Sequence, residues 1–198
     1  VQSLTLPQNR ITIASTAFPI LWTHKQPQAR SLVPQLIGDF AQAASRQQED
    51  SDVNDRSMLH QQWEAVVRAI APCDAGLALH FMDATRQFVQ MGDAEQQEAE
   101  ERNLRLEIAS QDAQRNPQNA LRMAESELKA GGDLPMQLLN LLTDVAAKDP
   151  EAGSQLLHEI VSQLRSSKLS LGLNNFNLAV SLLNTQANSS GEGSRPDE

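Results

Sequence analysis

The chain holds 198 residues, 40% of them hydrophobic and 21% charged, enough for one sizeable core or a short run of repeats. Its formal charge of −9 and scattered basic residues argue against nucleic acid as a partner, because phosphate binding is driven by clustered Lys and Arg that release counterions. No apolar run approaches the roughly 18 to 20 residues of a bilayer-spanning helix, so a soluble protein without a membrane span is expected, and the lone Cys73 excludes an intramolecular disulfide or a cysteine zinc site.

The first turn of sequence carries Ile11, Ala14, Phe18 and Leu21, a spacing that fits a helix better than a strand. From Ala29 the apolar positions run Leu32, Val33, Leu36, Ile37, Phe40, Ala41 and Ala44, one face of a helix turning every 3.6 residues. Pro34 lies inside that stripe. Proline lacks a backbone donor and clashes with the preceding turn, which predicts that this helix starts or kinks there. The polar stretch 45–57 reads as an unstructured link.

Leu59, Trp63, Val66, Val67 and Ile70 make the next stripe. Between Ala75 and Val89 two apolar lines occur together, Leu77, Phe81, Ala84 and Phe88 on one and Ala78, Met82 and Val89 on the other. That pattern predicts a helix buried from two directions, at the centre of the array. Further stripes follow at Ala120, Met123, Ala124 and Leu128, at Leu134, Leu138, Leu141, Leu142 and Val145, and at Leu156, Leu157, Ile160, Val161 and Leu164. Phe176, Ala179, Val180 and Leu183 form the last, and 189–198, rich in Gly, Ser and charge, reads as a disordered tail.

The boundaries carry capping chemistry. Asn116-Pro117 and Asp149-Pro150 each place an acceptor before a proline at the first helical position, Asp93 with Gln96 resembles a capping box, and Gly131-Gly132-Asp133 reads as a stop, a turn and a new start. Short links force neighbouring helices to run antiparallel. The expected fold is therefore all-α: about 8–9 helices in antiparallel pairs, stacked as a short α-solenoid or multi-helix array, forming one domain over 1–188.

Pro27, Pro72 and Pro117 are 45 residues apart, Pro150 follows 33 later, and each precedes an apolar helix, a period typical of stacked helix pairs. Across Asp112 to Leu164, "NPQNALRMAESELKAGG", a leucine helix and "KDPEAGSQLLHEIVSQL" resemble the helix, turn, helix phrasing of tetratricopeptide-like repeat proteins. The Trp, Gly and Tyr positions of the usual signature are missing, and the chain contains no Tyr. The resemblance implies a curved helical stack that binds other proteins or peptides.

No arrangement of residues demands a particular chemistry. His24, His60, His80 and His158 fall on different segments; His60 with Glu64 and His80 with Asp83 have helical spacings that each supply two metal ligands, but neither gains a third from the sequence. Glu95, Glu98, Glu100 and Glu101 precede Arg102 and Arg105, and the pairs Glu98–Arg102 and Glu101–Arg105 read as a solvated helix face. Gly153-Ser154 lies in a helical stripe without the frame of a nucleophile elbow, and Cys73 reads as a small filler at a helix junction. Trp22 and Trp63 read as core anchors. With no catalytic, cofactor or metal residues assigned, the expected function is a protein–protein interaction scaffold with a protein or peptide partner; the alternative is an enzyme or small-molecule binder whose pocket joins Glu64, His80 and Asp83 between helices. The start at Val1 rather than Met fits a processed product or part of a longer chain, and the four Lys among abundant Gln, Asn and Ser lean the compartment towards the extracytoplasmic.

Overall fold

The computed structural model describes residues 6–49, 53–89, 93–130, 134–166 and 180–181, and its contacts gather into two compact units, Val1–Asp112 and Ala113–Glu198. Among the described residues there are eight helices and no strand, the all-α array expected.

In the first unit α1 (Pro7–His24), α2 (Gln26–Glu49), α3 (Val53–Ile70), α4 (Ala75–Thr85) and α5 (Ala94–Ala113) follow one another. Only Lys25 separates α1 from α2, so the chain must reverse there. Cross-helix contacts report the directions. Arg10 meets Asp39 while Trp22 meets Arg30, so α1 and α2 are antiparallel. Arg30 reaches Asp74 and Phe40 meets Phe81, so α2 and α4 run the same way. Asp83 pairs with Arg105 and Arg86 with Glu101, which sets α5 against α4, whereas His60 with Glu100 and Arg68 with Glu107 align α5 with α3. Odd helices point one way and even helices the other.

The apolar stripes form the core much as their spacing predicts. Leu59, Trp63, Val66, Val67 and Ile70 of α3 are all buried, as are Val33, Leu36 and Phe40 of α2 and Ile11 and Phe18 of α1. Phe40 and Phe81 meet edge to face, centroids 5.5 Å apart, the arrangement that ring quadrupoles favour. α4 packs against both α2 and α3, with Ala78, Phe81 and Met82 buried, but it ends at Thr85 and passes into a 3-10 turn, Arg86–Phe88, rather than continuing to Val89. The change falls where Thr85 is wholly buried. Its hydroxyl donates to the Phe81 carbonyl at 2.6 Å and accepts from the Trp63 indole N–H at 2.8 Å, satisfying both polar groups inside the core.

Two boundaries differ from the expected ones. α2 begins at Gln26 and runs through Pro34, which is exposed, so the Arg30 carbonyl that loses its donor lies at a solvated position. The stretch 45–57 is helical over 45–49 and again over 53–57, with 50–52 outside the described residues. The stretch thus supplies the end of α2 and the start of α3.

The second unit contains α6 (Pro117–Ala130), α7 (Gln137–Lys148) and α8 (Pro150–Ser166). Gln118 with Asp149 and Glu125 with Gln155 show α6 and α8 to be parallel, and α7 returns the chain between them. The caps stand where they were read. Asn116 Oδ1 accepts from the Asn119 N–H, and Asp149 Oδ1 accepts from the N–H groups of Glu151 and Ala152, each with its proline next in the chain. Asp93 likewise accepts from the Glu95 N–H, but Gln96 reaches forward to Glu100 instead of closing a box.

Leu121, Ala124, Leu128, Leu134, Leu138, Leu141, Val145, Leu156, Ile160 and Leu164 fill this unit. Leu157 does not: it is 39% exposed, because the stripe of α8 is narrower than the apolar sequence suggests. At the α7–α8 crossing a Cβ on Gly153 would sit 2.5 Å from Ala146 Cβ and 2.6 Å from its Cα, so glycine is what permits the approach. The Gly131-Gly132-Asp133 turn and the 189–198 tail lie outside the described residues, as does the last stripe except Val180, which is 38% exposed.

Candidate interaction face

The residues with the greatest chemical potential in the sequence are engaged in holding helices together. His60 Nε2 is 3.5 Å from Glu64 and 3.7 Å from Glu100, its ring is tilted over Trp63 with centroids 5.6 Å apart, and its Nδ1 is buried without a hydrogen-bond partner. Glu64 also accepts from Arg68 at 2.8 Å, and this bond, with the charge of Glu107 beyond it, raises the Arg68 guanidinium above its ordinary range. Asp83 pairs with Arg105, while His80 is exposed. Glu64 and Asp83 thus pair with different arginines, and among the described residues no three His, Cys, Asp or Glu side chains form a group able to hold a metal.

The acidic face of α5 proves to be two things at once. Glu95, Glu98 and Glu100 are exposed, but Glu101 is only 7% exposed and binds Arg86 at 3.1 Å and Gln97 at 3.1 Å. Burial of a carboxylate demands such partners. Cys73 sits half-buried in the α3–α4 turn, its thiol 3.8 Å from the Ala69 carbonyl, next to Asp74, which caps α4 by accepting from the Leu77 N–H. Trp63 is a core anchor, 2% exposed. Trp22 is half-buried: Phe18 stacks on one side and the Arg30 guanidinium lies 5.1 Å from its centroid. His24 and His158 are exposed.

The least explained feature of the first unit is the outer side of α1. Leu6, Ile13 and Ile20 are 48%, 52% and 63% exposed, large apolar side chains seven residues apart. Seven residues fall about 20° short of two full turns, so Ile13 and Ile20 lie close to one line along α1, and Leu6 precedes the helix at its N-cap in extended backbone. Around them Thr12, Thr16, Pro19 and Thr23 are exposed and uncharged. α1 contains no acidic residue, and its Arg10 turns away to Asp39 and Gln42, a partnership that raises its pKa further above the ordinary range.

The hydroxyls of this helix donate inward. Thr12 donates to the Gln8 carbonyl, Ser15 and Thr16 to that of Thr12, and Thr23 to that of Pro19. Donors already bound to the helix's own carbonyls do not oppose burial of the face. The helical spacing of Ile11, Ala14, Phe18 and Leu21 marks the side on which Ile11 and Phe18 are buried, whereas Ile13 and Ile20 stand outside that spacing.

Among the described residues no helix is long and apolar enough to cross a membrane. No protein-family model, curated protein or solved structure matches the chain.

Proposed function

We propose that this chain is a protein-interaction module of tetratricopeptide-like architecture, in which the outer face of α1 receives an apolar surface of a protein or peptide partner. The observation that carries this reading is the exposure of Ile13 and Ile20 on a helix free of acidic residues, with the exposed Leu6 at its N-cap, in a chain of net charge −9. Large apolar side chains exposed on one side of a helix mark a candidate contact surface. The repeat character is supported by Pro27, Pro72, Pro117 and Pro150, each within three residues of the start of an even-numbered helix.

A photo-crosslinking residue at position 13 tests the docking role in cells that express the chain, with the same residue at the exposed Ser126 as control. A discrete adduct from position 13 and none from position 126 is expected. Equal labelling from both positions, or no adduct from either, overturns the reading.

A further inference from the structure

We infer that His60 is a proton-operated tie between α3 and α5, gripping Glu100 of α5 when the imidazole is charged and releasing it when neutral. Two carboxylate oxygens from different helices converge on one nitrogen. Glu64 gives one oxygen to Arg68 and turns the other to His60 Nε2 at 3.5 Å. Glu100 gives one oxygen to the Gln96 side chain and turns the other to the same nitrogen at 3.7 Å. A neutral imidazole holds neither well, since both distances exceed the roughly 2.7–3.2 Å of a sound hydrogen bond and one N–H cannot serve two acceptors. A charge acts across such distances without alignment.

The other side of the ring supplies an opposing influence. Nδ1 is buried without a hydrogen-bond partner, and the ring lies against Trp63. Charging the imidazole puts an unanswered N–H on that buried side, which costs free energy, while both carboxylates favour the charge. Histidine side chains change charge between about pH 5 and 8, where carboxylates are ionised, so two opposed influences leave the state of this one to pH. The other helices packed on α3 turn their carboxylates elsewhere: α1 has none, Asp39 of α2 is bound by Arg10, and Asp83 of α4 by Arg105. Arg68 of α3 is held by Glu64 and by Glu107 of α5.

The tie acts on the part of α5 that has little else to hold it. From Ala94 to Glu100 no residue is buried, and burial begins at Glu101. Mild acid thus fastens this end of α5 to α3, and mild alkali frees it.

A double-mutant cycle of His60→Gln, Glu100→Gln and the doubly substituted chain, followed by urea denaturation at about pH 5.5 and about pH 8, tests the tie. The two positions should be coupled by about two- to fivefold in the folding equilibrium constant at the lower pH, the scale of partly exposed ion pairs, and uncoupled at the higher. Equal coupling at both pH values, or coupling at neither, overturns the inference.

Fluorescence reads the proton itself. A charged imidazole quenches a neighbouring indole, and the His60 and Trp63 rings have centroids 5.6 Å apart. Emission should fall on acidification more in the wild-type chain than in His60→Gln, and in Glu100→Gln the fall should set in at lower pH, because one of the two favouring carboxylates is gone. A profile that His60→Gln leaves unchanged, or that Glu100→Gln leaves in place, overturns the inference as well.

Discussion

The two units solve the same packing problem with different side chains. In α1 to α4 the interior is aromatic: Phe18, Phe40, Trp63 and Phe81 are buried and supply large apolar area per residue. Over α6 to α8 there is no aromatic residue, and the filling is Ala, Leu, Ile and Val. At Gly153 the backbone of α8 lies so near Ala146 of α7 that no Cβ fits between them. The aromatic interior holds the polar joint Trp63–Thr85 inside it, whereas the α7–α8 contact leaves no room for a methyl at Gly153. Each design is vulnerable where it relies on volume or on the lack of it.

Both tryptophans lie in the first unit, so their fluorescence reports that unit alone, while circular dichroism at helix wavelengths reports both. The largest expected effect is that of Phe81→Ala, which empties the aromatic contact with Phe40 and should cost about 3–5 kcal/mol, seen first in tryptophan fluorescence. Leu141→Ala, in the second unit, should cost about 2–5 kcal/mol, whereas Leu157→Ala should cost less than about 1 kcal/mol. Chemical denaturation of the pair sharpens the distinction between packed and exposed leucines on neighbouring helices. Equal costs would break it.

Gly153→Ala separates two opposing influences. Alanine raises helix propensity by about 1 kcal/mol over glycine, but here the new methyl collides with Ala146, and overpacking of this kind costs about 1–3 kcal/mol. A net loss of melting temperature is expected, without change in tryptophan emission at low temperature. A gain would mean the α7–α8 spacing relaxes freely.

The smallest effect concerns acid. Hydrogen bonds from the Ala152 and Glu151 N–H groups and from Gln118 lower the pKa of Asp149 below its ordinary 3.8. A depressed carboxylate contributes stability above the unfolded value and loses it as pH falls through the folded one. Helicity of the wild-type chain should therefore fall below about pH 4 more than that of Asp149→Asn, which keeps an acceptor at the cap without a titrating group. Identical acid profiles would remove Asp149 from the account.

Much of the helix content was legible because burial and periodicity are one phenomenon: a stripe such as Leu59, Trp63, Val66, Val67 and Ile70 has few other uses. The caps at Asn116 and Asp149 were equally plain, since an acceptor followed by proline is a local device. Leu157 misled because an apolar residue beside a stripe is not distinguished by spacing from one within it. Helical spacing pointed to His60 with Glu64, but not to the pairs that join distant segments. Arg30 and Asp74 are 44 positions apart and Arg10 and Asp39 are 29 apart, separations that only the fold can bring together. The exposed Ile13 and Ile20 of α1 were hidden differently, since they stand outside the spacing that marks its buried side.

The one-residue joint at Lys25 carries a final consequence. Proteases of trypsin specificity cut after lysine, and this side chain is exposed, yet the backbone on either side is already wound into helix and the Lys25 N–H is bound to the Leu21 carbonyl. A scissile peptide must be drawn out straight to enter such an enzyme, and straightening this one requires unravelling the ends of two helices together. Limited digestion should therefore spare the bond that looks most open, and its eventual cleavage would time the opening of the first hairpin.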